Sequence, residues 1–387
     1  MPPHLAIAAI VLAELFGTSL WFSINAVAGD IVPGSALGAN AIGHLTSAVQ
    51  LGFISGTLVF ALTGLADRYA ASHLFATCAV LGAATNALFT AAHDSAALAL
   101  TLRFATGFLL AGIYPIGMKL VIGWAPERAG QMLGWLVGML ALGTGLPHLV
   151  RGTAISPEWT AVLYTSSALA VVAGLMVYLL GDGPHHGRRA RLHWGPAVHA
   201  FRHARFRAAA MGYFGHMWEL YAFWAMVPFL VLAVDDGVSP TTRSLIAFAV
   251  FVCGGLGCVV GGYASRRVGN AAVAGFALAG SALMCLVFPL ASGFTAWLAV
   301  PALLLWGALV VTDSPQFSAM AAGACRPEDV GSALAMMNSI GFAISICSIE
   351  LSIALLPALG SKVAWILLPG PVFGLWAMRR LLRPAVS

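Results

Sequence analysis

The sequence predicts an all-α membrane protein with twelve transmembrane helices in two pseudo-symmetric six-helix bundles. Three observations predict this fold: an apolar composition, a series of apolar segments long enough to cross a bilayer, and an internal repeat. Of the 387 residues, 60% are hydrophobic and only 9% are charged, and the mean hydropathy is +0.90. Soluble domains carry roughly 25% charged residues. This chain cannot cover itself with a hydrated surface, so lipid must surround it.

A helix that crosses a bilayer needs about 20 mainly apolar residues. Glycine, proline and charged residues mark the ends of each apolar segment. The predicted spans, numbered 1 to 12, lie near residues 4–28, 41–65, 73–92, 96–121, 131–150, 159–181, 207–234, 243–264, 270–291, 296–321, 331–357 and 361–382. Span 1 has no small-residue cleavage site, so we expect it to be retained and not to be a signal peptide.

Basic residues predict how the spans are oriented, because cytoplasmic loops are enriched in Lys and Arg. With the N-terminus inside, fourteen basic residues fall in inner loops and three, Arg151, Arg243 and Lys362, fall in outer loops. Both termini are therefore expected in the cytoplasm. The excess of Arg over Lys and the short loops favour a bacterial inner membrane.

The segment 182–206 is polar, rich in His and Arg, and lies between spans 6 and 7. It predicts a cytoplasmic linker between an N-terminal bundle, residues 1–181, and a C-terminal bundle, residues 207–387. Nucleic acid could bind such a basic stretch. A solvated linker that touches anionic lipid headgroups fits its place beside a membrane better. We therefore expect no nucleic-acid partner.

The six cysteines are scattered and include no Cys-x-x-Cys pair. This pattern predicts small apolar packing residues, not disulfides or metal ligands. We expect neither a metal nor a cofactor.

The two halves of the chain resemble each other at an offset near 200 residues. Duplicated bundles are what alternating access requires, because two similar bodies rock about a site at their interface, near the bilayer midplane. The matched features are Tyr114-Pro115 with Ser314-Pro315, Pro126-Glu127 with Pro327-Glu328, Asp67-Arg68 with Arg266-Arg267, and Glu14 before Trp21 with Glu219 before Trp224.

The loop sequence Gly64-Leu-Ala-Asp67-Arg68 resembles a motif of the Major Facilitator Superfamily, and the topology of the whole chain resembles that family. The resemblance implies that Asp67 and Arg68 help to latch the cytoplasmic side closed. The motif is partial, because Ala70-Ala71-Ser72 stands where the family usually has Gly-Arg and a further basic residue. In the second copy, Arg266 replaces the acid.

Span 4 carries a second resemblance, through Arg103, Gly107 and Pro115 and the Pro-Glu-Arg sequence at 126–128. This pattern is similar to that of proton-coupled organic-anion symporters and, more loosely, drug:proton antiporters. The resemblance implies a link between Arg103 and proton movement. Glycine-rich span 5 resembles an antiporter motif but departs from it at Leu-Pro-His148.

Ionisable residues at membrane depth cost several kcal/mol unless they are paired or hydrated, so each one indicates a function. Glu14 lies about ten residues into span 1, and Thr18, Trp21 and Asn25 continue its helical stripe. The stripe faces either packed protein or a central cavity. The alternative to a cavity is an ion pair between Glu14 and a basic residue of span 4.

Glu219 lies near the centre of span 7, and His216 precedes it by three residues. The two side chains can share a proton or a hydrogen bond at this spacing, and burial favours the neutral form of a carboxyl group. With Glu14 and Asp313, they are our candidates for proton coupling. A metal would need a third ligand close by.

The candidate solute-binding residues are Arg103, Trp21, Asn25, Tyr114, Trp224 and Gln316. Arg103 supplies a fixed positive charge that suits either an anion or a salt bridge to an acid, and a structural ion pair is the alternative. Asp313 and Gln316 flank Pro315, and a helix-breaking proline is tolerated where it lines a cavity. Glu350 has either a structural partner or a functional role.

The leading hypothesis is a secondary active transporter that moves a small organic solute, anionic or amphiphilic, by proton-coupled alternating access. The alternative is a proton-driven exporter of drugs or metabolites. We expect a monomer and no enzymatic activity, because the chain has no His-Glu-x-x-His, Gly-x-Ser-x-Gly or nucleotide-binding Gly-rich motif. The duplication of a six-span unit also favours two rocking bundles over a channel.

Overall fold

The computed structural model of the protein describes residues 2–34, 36–124, 129–153, 158–185, 198–291, 296–326 and 329–382. Helices make up most of these ranges, and no β-strand occurs within them. Outer and inner denote below the two sides of the membrane that the basic residues predict.

Eight of the predicted spans contain one long helix each within the described residues. These helices are Ala41–Thr63 in span 2, Ala71–Ala92 in span 3, Ala129–Thr153 in span 5, Thr160–Leu180 in span 6, Ala204–Val234 in span 7, Pro240–Val268 in span 8, Asn270–Ala291 in span 9 and Val330–Leu359 in span 11.

The other four spans are interrupted. Span 1 consists of Pro3–Thr18, turns and the short helix Ala28–Ile31; span 4 of Ala96–Leu110 and Tyr114–Trp124; span 10 of Ala296–Thr312 and Ser314–Ala322; and span 12 of Ala364–Leu367 and Pro369–Met378. By length and hydropathy, nine stretches of described residues can cross a membrane, and one of them, Val330–Met378, contains the helices of both spans 11 and 12. The all-α membrane fold is confirmed, and the helix positions support the count of twelve.

A continuous helix over 4–28 was the wrong expectation for span 1, because its first helix ends at Thr18. The Thr18 hydroxyl donates to the carbonyl of Glu14 at 2.7 Å, and the Ser19 hydroxyl donates to the carbonyl of Phe16 at 2.6 Å. Serine and threonine that bond to nearby carbonyls compete with the helical pattern. Turns and a short 3₁₀ segment, Asn25–Val27, follow.

Spans 4 and 10 are interrupted at equivalent places. In each span, a proline is the second residue of the inner helix, Pro115 after Tyr114 and Pro315 after Ser314. Proline is well tolerated at a helix start, because the first N–H groups have no partner within the helix. The repeat read from the sequence therefore corresponds to a shared structural feature.

Glycines allow neighbouring spans to approach closely, as is typical of helices packed in a membrane. An added Cβ on Gly107 of span 4 would collide with the backbone carbonyl of Val49 in span 2. Gly138 of span 5 and Gly255 of span 8 face each other, and an added Cβ on either would lie about 3 Å from the other's carbonyl oxygen.

The main contacts between the N-terminal and C-terminal halves join span 5 to span 8 and span 2 to span 11. Towards the outer side, Gly145 packs on Phe251 and Gly152 packs on Leu245. Further inward, an added Cβ on Gly134 or Gly262 would meet no described atom within 4 Å, and the two glycines line one small cleft between spans 5 and 8. The helix Ser314–Ala322 of span 10 also contacts span 5, so contacts between the two halves continue towards the inner side.

We expect Gly107→Ala to destabilise the fold and Gly134→Ala to leave it nearly unchanged. The first change places a methyl group against the Val49 carbonyl, and overpacking of this kind costs about 1–3 kcal/mol. Thermal unfolding of the purified variants in detergent, followed by size-exclusion chromatography, measures the difference. Equal melting temperatures for the two variants would contradict this packing.

Candidate functional site

Glu14 is a fully buried acid on span 1, and neither of its carboxyl oxygens has a hydrogen-bond partner among the described residues. Gly117 of span 4 lies directly against Oε2, and Leu136 of span 5 is close to the same position. Tyr114, one turn before Gly117, lies within electrostatic range of Glu14. A carboxyl group in this setting is stable when it is protonated or when water or a solute supplies the missing partner.

A second acid lies across the interface, in the C-terminal half. Asp313 occupies the interruption of span 10, and its Oδ1 is 2.8 Å from Nδ1 of His216 in span 7. Both side chains are almost fully buried. Nε2 of His216 and Nε2 of Gln316 have no hydrogen-bond partner among the described residues.

Glu219 has a separate set of partners, so the predicted sharing of a proton with His216 is wrong for this structure. Ser281 Oγ, Trp306 Nε1 at 2.6 Å and Cys285 Sγ at 3.4 Å all donate to Glu219 Oε1. These partners belong to spans 9 and 10 of the C-terminal half. A helix turns about 100° per residue, so Glu219 and His216 can serve different neighbours although they are one turn apart.

Two tyrosines connect the surroundings of Glu14 with those of Asp313. Tyr114 of span 4 lies within electrostatic range of Glu14 and of Cys258 in span 8. Tyr213 of span 7 lies within range of Tyr114 and of Asp313. Glu14 and Asp313 thus face a common region between the halves, whereas the partners of Glu219 lie within one half.

Arg103 is fully buried and does not pair with Glu14. Its NH2 donates to the carbonyl of Trp21 at 2.7 Å and to that of Leu20 at 3.4 Å, and its NH1 donates to Asn86 Oδ1 at 3.2 Å. The interruption of span 1 leaves these carbonyls without helical partners, and a guanidinium group can satisfy several acceptors at once. The charge of Arg103 is therefore directed at the span 1 backbone.

Asn86 of span 3 completes this polar network, and no periodic pattern in the sequence pointed to it. Its Oδ1 also accepts from Ser23 Oγ at 2.6 Å, and its Nδ2 donates to the carbonyl of Leu163 and to Ser167 Oγ, both at 3.1 Å. Spans 1, 3, 4 and 6 are joined through one amide. A lone asparagine in an apolar helix was the available clue.

An aromatic plug closes the interface on the outer side of Glu14. Trp21 lies 5.7 Å from the Tyr221 ring and 5.9 Å from the Phe342 ring, in stacked arrangements, and its Nε1 donates to Gln50 Oε1 at 3.1 Å. Gln50 in turn donates to Ser345 of span 11 at 3.4 Å. The plug consists of Trp21, Phe22 and Phe53 from the N-terminal half and Tyr221, Trp224, Phe251 and Phe342 from the C-terminal half, all of them buried.

Trp21 and Trp224 were predicted to line a solute cavity, and the structure brings both into the plug. Sequence reasoning missed Phe53 and Phe342, because they lie on spans 2 and 11 without a polar neighbour to single them out. Asn25, also a predicted solute ligand, donates to Thr46 Oγ1 of span 2 at 3.0 Å. It therefore joins span 1 to span 2 within the N-terminal half.

Charged contacts surround the outer rim. His44 Nδ1 of span 2 lies 3.0 Å from Glu350 Oε2 of span 11, which gives Glu350 a partner in the other half. Arg151 donates to Asp30 at 2.9 Å, and Arg243 of span 8 lies within electrostatic range of Asp30. His44 with Glu350 and Arg243 with Asp30 thus connect the halves beyond the plug, and Arg151 holds Asp30 within the N-terminal half.

The predicted cytoplasmic latch is described only in part. The side chain of Asp67 lies outside the described residues, and Arg68 is exposed at the end of the short helix Leu65–Arg68. Nearby, the Asp182 carboxylate accepts from the backbone N–H groups of Ala71 and Ser72 at 3.0 and 2.7 Å. Asp182 thus caps the start of span 3 from the beginning of the linker.

A cavity of about 610 Å³ lies apart from these residues, at the inner ends of spans 7, 9, 10 and 12. Arg205, Asn270 and Met320 line it, and none of the predicted site residues does. It belongs to the C-terminal half alone and is distinct from the region between Glu14 and Asp313.

Apolar helices that cross a bilayer, joined around buried polar side chains at mid-depth, define a multi-pass membrane transport protein. The sequence profile of the Major Facilitator Superfamily matches residues 10–349, and the chain belongs to this family. The resemblance of the whole chain to this family is thereby confirmed, and the protein is a secondary transporter. A comparison with curated proteins gave no match.

Three solved transporters share the fold over almost the whole chain. The nucleoside transporter NupG, solved as a point mutant, has a TM-score of 0.72 and 14% identity, with 97% of this chain and 99% of that chain covered. A bacterial homologue of the human lysosomal transporter Spinster, in an inward-facing and unoccupied conformation, has a TM-score of 0.73 and 15% identity, with 100% and 99% covered. The human organic anion transporter MFSD10 (TETRAN) has a TM-score of 0.72 and 14% identity, with 98% and 100% covered.

We expect Arg103→Gln and Arg103→Lys both to destabilise the protein. Each change removes charge-assisted bonds to the span 1 carbonyls, and such bonds contribute about 1.5–3 kcal/mol each. Lysine keeps the charge but lacks the planar fork that reaches both Trp21 and Asn86. Thermal unfolding measures the loss, with Arg68→Gln, an exposed position, as the control. A full rescue by lysine would show that charge alone matters at this position.

Proposed function

We propose that this transporter couples the movement of a small organic solute to protons, by alternating access between the two membrane faces. The observation that carries the proposal is Glu14: a fully buried carboxyl group, next to the interface between the halves, with no partner for either oxygen among the described residues. Intramembrane ionisable residues of this kind mark proton and solute pathways in transporters.

The arrangement of the halves supports alternating access. The plug and the outer rim close the outer side, and a small cleft lined by Gly134 and Gly262 lies between spans 5 and 8 towards the inner side. An arrangement closed on one side is one of the two states that alternating access requires. In this proposal, residues 1–181 and 207–387 are the two rocking bodies, and Asp67 and Arg68 latch the inner side in the opposite state.

Protonation would control the switch between these states. A protonated Glu14 carries no charge, so the closing of the halves around it costs little desolvation energy, whereas an ionised Glu14 needs a partner. Asp313 with His216 provides a second place for a proton across the same region. Glu219, held by three donors within its own half, is the remaining proton-coupling candidate from the sequence and fits a structural role better.

The proposed setting is the inner membrane of a bacterium, with both termini in the cytoplasm and a monomer as the working unit. The fourteen basic residues of the predicted inner loops support this orientation. No enzymatic step is part of the proposal.

The second candidate is a proton-driven exporter. One observation favours it: a single carboxyl group such as Glu14 can hold either a proton or a positively charged solute, and this competition produces exchange. Flux in everted membrane vesicles distinguishes the candidates, because an exporter accumulates its solute there when the vesicle interior is acidified.

We expect Glu14→Gln to lower the proton-driven flux by a factor of at least about ten, which corresponds to roughly 1.4 kcal/mol. The amide cannot release or accept the coupling proton. Proteoliposomes with an imposed pH gradient, offered radiolabelled glucuronate, uridine and tetraethylammonium, measure the flux of an anion, a neutral solute and a cation. Asp94→Asn, at a side chain exposed for 89% of its surface, is the control. Wild-type flux that ignores the gradient, or full coupling in Glu14→Gln, would contradict the proposal.

A further inference from the structure

The charges around the interface indicate what kind of solute the site would hold. We propose that the solute is an organic cation with an apolar body, a protonated amine or a quaternary ammonium compound, whose positive charge binds Glu14 and whose apolar part lies against the aromatic plug. This inference rests on the proposed function only in placing the solute between the two halves. It replaces the anionic class expected from the sequence.

Arg103 was the reason to expect an anion. Its NH1 and NH2 donate to carbonyls of span 1 and to Asn86, and its side chain is fully buried among spans 1, 3 and 4. The NH1 and NH2 donors of Arg103 are therefore not available to a solute near Glu14. Arg103 is thus a positioning residue, which holds the turn that carries Trp21.

Lys119 lies on the same helix as Gly117, the residue in contact with Glu14. Residues two apart on a helix point about 200° away from each other, so Lys119 faces a different side of span 4 from Gly117. The ionised form of Glu14 is therefore the anionic group that this side of the interface offers to a solute, and Asp313 lies across the interface with His216 as its partner.

The unpartnered atoms match a cation better than an anion. A carboxylate has only acceptors, and an ammonium group has only N–H donors. Both oxygens of Glu14 lack partners among the described residues, and Gly117 leaves Oε2 without a side chain in front of it. An anion placed here would instead meet the like charge of an ionised Glu14, and NH1 and NH2 of Arg103 already donate to Asn86 and the span 1 backbone.

The aromatic plug provides a surface for the rest of the solute. Trp21 follows Glu14 by seven positions, beyond the end of the first helix at Thr18, so one helical turn and the turns after it cover the distance between the acid and the plug. Tyr221 and Phe342 stack on Trp21 from the other half. Aromatic faces attract cations and bury apolar groups. A solute that spans this distance would touch the acid and the plug together.

Proton and cation would then compete for Glu14, and exchange would follow. The groups near this carboxyl are Tyr114 and Gly117 of span 4, Leu136 of span 5 and, through Tyr114, Cys258 of span 8 and Tyr213 of span 7. Lys119 is the nearest base along the sequence on these elements, and it faces a different side of span 4 from Gly117. Raising the pH should therefore strengthen cation binding through Glu14.

Three molecules with one apolar body test the charge requirement: 4-phenylbutylamine, 4-phenylbutanol and 4-phenylbutyrate. We expect the amine to raise the melting temperature of the purified wild-type protein and to bind at least about tenfold tighter than the other two in equilibrium dialysis. Its affinity should increase between about pH 6 and pH 8.5, where the amine stays charged. Glu14→Gln should lose both the preference and the pH dependence, while Asp94→Asn should keep them.

Preferential binding of the butyrate, equal binding of all three, or no binding would overturn the inference. Retention of amine binding by folded Glu14→Gln would also overturn it. Glutamine resembles a protonated glutamate in shape, so unliganded Glu14→Gln should melt near wild type, which separates loss of binding from loss of fold. The proposed function is judged separately by proton-driven flux: an anion that moves with protons would refute the cation and leave the coupling intact.

Discussion

The bonds from the Arg103 guanidinium to the carbonyls of Leu20 and Trp21 fix the centre of this molecule. Backbone groups inside a bilayer must be satisfied within the protein, and span 1 leaves its helical path after Thr18. Arg103 supplies the missing donors and thereby sets the path of the chain from the helix to the plug. Glu14 lies on the helix before this break, and Trp21 lies in the turns after it. Arg103 therefore helps to position both the acid and the plug.

The use of Arg103 in this way changes the chemistry of the interface. The N–H groups of Arg103 that donate to the backbone and to Asn86 are not available to the Glu14 carboxyl group, and Glu14 is left without a partner among the described residues. Asp313 keeps one in His216, and Glu219 is enclosed by Ser281, Cys285 and Trp306. Three intramembrane acids therefore have three environments. Glu14 is buried beside the interface between the halves, and neither of its oxygens has a partner among the described residues.

The fold could be predicted from the sequence. The apolar segments, bounded by glycine, proline and charged residues, correspond to helices in every predicted span. The sequence was also sufficient for the buried charges, because any ionisable residue in such a segment is conspicuous. It could not supply their partners. His216 and Glu219 lie one turn apart on the same helix. His216 contacts Asp313 of span 10, whereas Glu219 contacts residues of both span 9 and span 10. The partners of Arg103 are backbone carbonyls, which leave no trace in a sequence. The spacing of Asn25 from Glu14 predicted that both lie on one face of a continuous helix. The first helix ends at Thr18, so Asn25 lies beyond it.

The central claim is that Glu14 exchanges a proton for a positively charged solute. Infrared difference spectroscopy on the purified protein detects the carbonyl stretch of a protonated carboxyl group directly, and addition of 4-phenylbutylamine supplies the cation. Our account predicts that the amine removes such a band from the wild-type spectrum and that folded Glu14→Gln shows no corresponding loss. An unchanged carboxyl band on amine binding to the wild type, or the same loss in Glu14→Gln, would contradict it.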